Sequence, residues 1–443
     1  MKINIVFLGN YNNNGIGGGD RKFGIYFNNL NEKYFNKFFI YLSNNNKYIN
    51  KNGNEVVLTE DLIFDFINEN KIDYIYFSGA IISKKLENKI LEKCIGLVNV
   101  NFTPIYSENP RILNLIISKT DYWKLKFIHG DLKNSYVVYN PIDFEKWLKL
   151  STETGENFRN KFKYKKFIIG RIARAEPSKW NFLIIATLLK LQLLKNYNYG
   201  FIFAGMPYFY RAFLKIFLNN EMLKSILFLP EYKEYNDIAK FYKSIDLFWQ
   251  TSWIGESFGN VIAEAFCFKI PVITDFKGFY NNGKVNKKLY DAQIELVDDS
   301  INGYYLNYPN FIISKLNELN LEKLNILGEN GFNKVRDIYN VKFTSDTLAK
   351  ILYDYGKKNL GFENDEKFEK LNQIPCNNEV NEYKEEYLKR LETSYTNNNI
   401  GFLSKILFLN FKYIWTFFEY VYLIYRKILM KYFNINIEKK YEN

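Results

Sequence analysis

Short apolar runs alternate with longer amphipathic stretches along this chain, and the alternation occurs twice. The first set of runs is Ile3 to Leu8, Phe38 to Leu42, Tyr74 to Phe77, Gly96 to Val100 and Tyr136 to Val138. The second is Phe167 to Ile172, Gly200 to Ala204, Ile226 to Leu229, Asp246 to Gln250 and Ile270 to Thr274, with helical stretches such as Trp180 to Lys195 and Asp237 to Ser244 between them. This is the pattern of parallel sheets covered by helices, so two doubly wound α/β domains in tandem are expected. A length of 443 residues agrees, because it exceeds what one hydrophobic core ordinarily serves.

The first boundary is expected after Asn140-Pro141-Ile142-Asp143, because the polar run Ser151 to Lys166 separates the two sets of strands. The expected organisation is a Rossmann-like domain over 1–145, a second over 146–340, a helix over 341–360 returning to the first domain, and a polar linker with an aromatic helical tail over 361–443. Open α/β sheets bind ligands at the carboxyl ends of their strands, so two such domains facing one cleft would make a natural two-substrate site.

Hydrophobic residues make up 47% of the chain and charged residues 24%, which excludes disorder as a description of the whole. The net charge of +12 favours anionic partners. Abundant Lys, Asn, Ile, Tyr and Phe also fit A/T-rich codon usage, so the charge permits such partners without identifying one. Cys94, Cys267 and Cys376 are scattered and form no C-x-x-C pair, which indicates neither a disulfide framework nor a zinc site and fits a reducing cytoplasm. No nucleic-acid recognition motif is present. The opening Met1 to Leu8 is too briefly apolar for a signal peptide and reads as a first buried strand.

The segment Gly401 to Phe433 is densely apolar and aromatic, and Lys405, Lys412, Glu419 and Arg426 recur in it every seventh residue. Those charges form one stripe of a helix and leave the remaining circumference apolar. The uncharged runs are too short to span a bilayer, which takes roughly 18 residues or more. Two readings stand: an in-plane helix at a membrane face, and a helix packed on the protein's own domains.

The most specific signal follows the strand-like Leu247-Phe248-Trp249-Gln250. There come Gly255, Glu256, Ser257, Phe258, Gly259 and Asn260, a helix through Glu264 and Ala265, and the strand-like Ile270 to Thr274. Gly255 and Gly259 let backbone approach a ligand, and amides at the start of the helix attract phosphate. Glu256 precedes the helix and Glu264 lies eight positions on, about two turns later, so both can face one cleft. The bland alternative is a helix bearing two solvated glutamates.

These residues resemble the glycosyltransferase family 4 group, which has the two-domain GT-B fold. The likeness rests on the E-x7-E segment from Glu256 to Glu264 and on Val138 to Asp143, and it runs over most of residues 1 to about 355. It implies that Glu256 contacts the sugar of a nucleotide-sugar donor and that Glu264 contacts its ribose. Gly255, Phe258, Gly259 and Asn260 would line the same donor site.

A second element is Ile169-Gly170-Arg171 through Lys179-Trp180, following a strand and opening a helix. Fixed cations there would stabilise the charge that develops on a departing nucleoside diphosphate. Arg171 and Lys179 are the family-matched candidates, with solvated surface cations as the alternative. Trp180 departs from the family, which usually has Gly after the lysine. A third element is the loop Gly15 to Arg21, in which Gly17 and Gly18 resemble the family's approach to the reacting centre from the first domain. His129, the only histidine, matches no motif and is left out of the site.

No Asp-x-Asp occurs, so no metal or other cofactor is expected, and Arg171, Lys179 and helix-start amides would take the metal's place. The resemblance therefore implies a transferase that retains anomeric configuration and moves a sugar to a glycan or lipid-linked acceptor. It would work in the cytoplasm or at the inner face of the membrane, with contact through 401–433. The rivals are a same-fold sugar-nucleotide epimerase or phosphorylase, and a non-catalytic scaffold that binds a nucleotide or a membrane.

Overall fold

A computed structural model describes residues 1–10, 18–42, 49–50, 54–77, 82–100, 105–153, 155, 157–276, 280–281, 284–373 and 385–389. The chain divides into two compact units. The first comprises Met1–Phe144, Tyr280–Lys287 and Lys334–Glu385, and the second Glu145–Phe279, Lys288–Asn333 and the described residues from Glu386 onward.

The first unit holds an eight-stranded sheet in the order β3-β4-β2-β1-β5-β6-β7-β8. Its strands are β1 (Ile3–Asn10), β2 (Phe35–Leu42), β3 (Ile49–Asn50), β4 (Glu55–Leu58), β5 (Tyr74–Phe77), β6 (Ile95–Val100), β7 (Ile112–Ile116) and β8 (Ser135–Val137). All neighbours pair in parallel except β3 with β4. Phe7, Tyr76 and Leu97 bury one face of the sheet against Phe23 and Tyr26 of the helix Gly18–Asn29. Leu348 and Leu352 of the long helix Val341–Asn359 join that core, and the Tyr74 hydroxyl donates to the Leu352 carbonyl at 2.6 Å. Val6, Leu8, Ile40 and Val56 bury the other face against Ile63, Phe66 and Ile67. The unit also contains a small hairpin, β14 (Tyr280–Asn281) with β15 (Lys284–Val285).

The second unit holds a six-stranded, wholly parallel sheet in the order β11-β10-β9-β12-β13-β16. Its strands are β9 (Ile168–Ile172), β10 (Gly200–Ala204), β11 (Ile226–Leu229), β12 (Leu247–Gln250), β13 (Val272–Thr274) and β16 (Gly303–Tyr305). Phe201, Phe203, Trp249 and Ile273 form a core with Trp180, Leu183 and Leu188, beside the helix Phe182–Leu193, whose first turn is capped by Asn181. On the opposite face Phe248 packs against the rings of Phe241 and Tyr242 from the helix Tyr235–Lys243.

Both units are Rossmann-like, as the repeated alternation leads one to expect. From β9 the chain runs outward to β10 and β11, then returns to β12 on the other side of β9. The gap between the carboxyl ends of β9 and β12 is thus the topological switch point of this sheet, where open α/β sheets bind ligands. No helix of the described residues is long and apolar enough to cross a membrane. The aromatic segment 401–433 lies outside the described residues.

Candidate functional site

Two residues at the switch point meet across it. Arg171 stands near the end of β9, and Gln250 is the last residue of β12. Arg171 has no exposed surface, and its guanidinium donates to the Gln250 side-chain oxygen, to the Ile172 carbonyl at 2.9 Å and to the Lys179 carbonyl at 2.7 Å. The rings of Trp180 and Phe248 lie at 5.5 and 6.0 Å from its central carbon. Burial lowers its pKa to about 10, with the charges of Glu256 and Asp275 acting in the opposite sense, so it remains a cation at neutral pH.

Gln250, oriented by Arg171, donates its amide to Glu256 Oε1 at 2.8 Å. Lys179 Nζ forms a salt bridge with Glu256 Oε2 at 3.0 Å, and these side chains keep 23% and 13% of their surface exposed. Arg171, Gln250, Glu256 and Lys179 therefore form one connected polar group, with Lys179 at its accessible end and Arg171 enclosed behind it.

The backbone of Glu256 is held from both sides. Its amide donates to Gln293 Oε1 at 3.1 Å, and its carbonyl accepts from the Ala292 amide at 2.9 Å. Gln293 in turn donates to the Asp275 carbonyl at 3.1 Å. Asp275 accepts from Thr251 at 2.6 Å and from Asn181 at 3.0 Å, while the Trp253 amide reaches the Ser178 carbonyl at 3.0 Å. The loops after β9 and β12 are thereby tied together. Gly255 and Gly259 have φ of 80° and 100°, a left-handed backbone that suits glycine, and Phe258 is buried between them. Gly259 is the N-cap of the helix Asn260–Cys267 and itself has no side chain with which to cap it.

Glu264 sits on that helix, mostly buried, and accepts from the Tyr242 hydroxyl at 3.1 Å. The same hydroxyl also reaches the Val261 carbonyl at 2.9 Å. Burial and the neighbouring carboxylate push the Tyr242 phenol well above its ordinary value, so it stays a hydrogen-bond donor to Glu264. Glu264 is fixed by Tyr242 from the other face of the sheet, whereas Glu256 is fixed by the Arg171 group.

In the first unit Gly17 lies outside the described residues and Gly18 opens the helix Gly18–Asn29. One turn on, Lys22 is almost wholly buried and donates to Asn99 at 2.7 Å, and burial lowers its pKa to about 7. His129 ends the helix Lys119–His129 at the surface, with its ring 4.8 Å from that of Tyr106. The side chain of Trp180 is fully enclosed in the second core, and its indole donates to the Arg174 carbonyl at 3.0 Å.

Sequence reasoning missed Gln250, Gln293, Asp275, Asn181 and Tyr242. Gln250 ends an otherwise apolar strand directly before the Gly/Glu segment, and that was the one local signal available.

Residues 153–282 match the family described as Glycosyl transferases group 1. A comparison with curated proteins finds no match. Among solved structures, a glycosyltransferase from Rickettsia africae superposes with a TM-score of 0.57 at 14% identity, covering 80% of this chain and 98% of that one. The HepE protein of Anabaena, in complex with UDP, gives 0.55 at 17% identity over 80% and 100%. Sucrose-phosphate synthase from Thermosynechococcus elongatus gives 0.59 at 11% identity over 81% and 100%. At these identities the superpositions establish the shared GT-B fold.

The geometry separates two kinds of cation. Replacing Arg171 by Ala leaves Gln250 and a buried carbonyl unsatisfied and opens a cavity, and should lower stability by about 2–4 kcal/mol. Replacing the partly exposed Lys179 by Ala should cost no more than about 1 kcal/mol. Urea unfolding of the two variants measures the difference, and equal losses would show that Arg171 is not the structural member of the group.

Proposed function

We propose, for a chain whose residues 153–282 match the group 1 glycosyl transferases, that it transfers a sugar from a nucleotide-sugar donor to an acceptor hydroxyl. The observation that carries this reading is the connected group Arg171, Gln250, Glu256 and Lys179 at the switch point of the second sheet, where a phosphorylated ligand is bound in folds of this kind.

In this reading the second unit holds the donor. The diphosphate lies at the start of the helix Asn260–Cys267, where the helix dipole and the backbone of Gly259 favour an anion. Lys179 exchanges its bond to Glu256 for one to the phosphate, and Glu256, released on that side, takes hydroxyls of the donor sugar. Glu264 receives the ribose. Arg171 acts from behind as a positioning residue, because its guanidinium faces Gln250 and the Lys179 backbone.

As transfer proceeds, the bond from the sugar's anomeric carbon to the phosphate oxygen breaks and its electron pair stays on the diphosphate. The acceptor oxygen forms the new bond and its proton passes to the leaving diphosphate. Lys179 stabilises the charge developing there, so no metal is required. Bond formation by the acceptor oxygen on the face from which the diphosphate leaves gives retention of configuration.

The acceptor, a glycan or lipid-linked hydroxyl, is assigned to the first unit. The aromatic sequence 401–433 is assigned to contact with the inner face of the membrane. Flotation of the full chain with anionic vesicles, compared with a chain ending at Asn399, tests that assignment. Only the full chain should float, and no flotation of either would end it.

A thermal-shift panel of UDP-, GDP-, ADP- and TDP-sugars tests the donor assignment. One member should raise the melting temperature, since a ligand at a hundredfold its Kd adds roughly 2.7 kcal/mol to the native state. Glu264→Ala should weaken that shift, whereas Lys179→Ala should lower kcat by about a hundredfold with a smaller effect on the shift. No shift with any donor would favour a scaffold. Change of the donor without an acceptor would favour an epimerase.

A further inference from the structure

The described part of the chain's end returns to the second unit. Residues 385–389 form one helical turn, and the side chain of Tyr387 on it has no exposed surface. Its ring packs on Phe276, just past β13, with centroids 5.4 Å apart, and its hydroxyl donates to Asp291 Oδ2 at 3.1 Å. Asp291 is itself fully buried, and its other carboxylate oxygen lies 3.4 Å from the Gln293 amide nitrogen.

Segment 290–293 is the clamp on the Glu256 loop. The Tyr290 amide donates to the Ile254 carbonyl at 2.8 Å and the Ala292 amide to the Glu256 carbonyl at 2.9 Å. The Gln293 side chain accepts from the Glu256 amide at 3.1 Å. An unbroken set of contacts therefore runs from Tyr387 through Asp291 and Gln293 to Glu256, and Phe276 follows Asp275, which Gln293 also holds through its carbonyl. A buried carboxylate needs a donor, and the Tyr387 hydroxyl supplies one from a residue 96 positions away in sequence.

We infer that Tyr387 is a positioning residue for Glu256: by filling the space against Phe276 and satisfying Asp291, it fixes the strut 290–293 that sets where the Glu256 carboxylate stands. The inference rests on the donor-site reading only for its consequence in sugar binding. The mechanical link stands on the contacts alone. It also joins segment 385–389 to the site, so that displacing this turn loosens the loop that carries Glu256.

The test compares the full chain with its variant Tyr387→Phe. Tyr387→Phe keeps the ring on Phe276 and removes only the hydroxyl. In hydrogen exchange without ligand, the amides of Glu256 and Ala292 should exchange about fivefold faster in Tyr387→Phe, the effect of losing one buried hydrogen bond, while the helix Phe182–Leu193 is unchanged. Unchanged rates at Glu256 and Ala292 would overturn the inference. So would a general increase across the second unit, which marks a purely structural residue.

Binding supplies the second readout, with UDP-glucose and UDP as probes. Tyr387→Phe should weaken UDP-glucose by about fivefold and UDP by clearly less, because Glu256 holds the sugar directly and meets the diphosphate only through Lys179. Equal losses for both would contradict a positioning role. If UDP-glucose fails to bind the unaltered protein, the UDP-sugar form of the donor reading falls, and the exchange rates still decide the role of Tyr387.

Discussion

A guanidinium buried between two parallel strands is the constraint on which the rest of this site depends. Arg171 cannot be left unsatisfied inside the second unit, since an unpaired buried cation is among the costliest features a fold can carry. Its partners come from three stretches of chain: its own neighbour Ile172, the turn that ends at Lys179, and the last residue of β12. Satisfying one charge therefore fixes the relative positions of the two loops that leave the switch point. Its Nε finds no hydrogen-bond partner among the described residues, and the rings of Trp180 and Phe248 on either side enclose it.

The outer members of the group inherit that order. Gln250 can present its amide to Glu256 because its oxygen is held by Arg171, and Glu256 can face Lys179 because its backbone is clamped from 290–293. Only the Lys179 and Glu256 tips reach solvent, and a ligand bearing both a phosphate and a sugar hydroxyl offers each a replacement partner. Glu264 is held by a different side chain, the Tyr242 hydroxyl. The two glutamates of the E-x7-E segment thus have different hydrogen-bond supports, which are linked by the charge interaction between Tyr242 and Arg171.

The sequence made the fold class legible because buried parallel strands are runs of apolar residues with helical stretches between them. β5, β10 and β11 match the expected runs residue for residue. β7 escaped notice because Asn114 interrupts its apolar run, although that side chain is buried and bonded to both the amide and the carbonyl of Ser107. β16 has only three residues and offers too little pattern to read. Glu256, Glu264, Arg171 and Lys179 could be singled out because local motifs carry them, and the structure joins Arg171, Glu256 and Lys179 in one polar group. Gln250 lies 79 residues from Arg171 and Gln293 lies 37 from Glu256, so only the strand order brings them together. Burial cannot be read from a local motif, and the enclosure of Arg171 behind Gln250 and Trp180 is visible only in the fold. Trp180, which departs from the family's usual glycine, is accommodated because its ring turns into the core beside Phe203.

The proposed place of the nucleotide sugar is the carboxyl end of the second sheet, between the β9 and β12 loops. Hydrogen exchange of the full chain with and without a saturating nucleotide sugar locates that ligand directly. Exchange should slow in 171–181, 251–264 and 290–294, with β10 and β11 unaffected. Saturation without slower exchange in those three segments, or protection centred elsewhere in the chain, would contradict it.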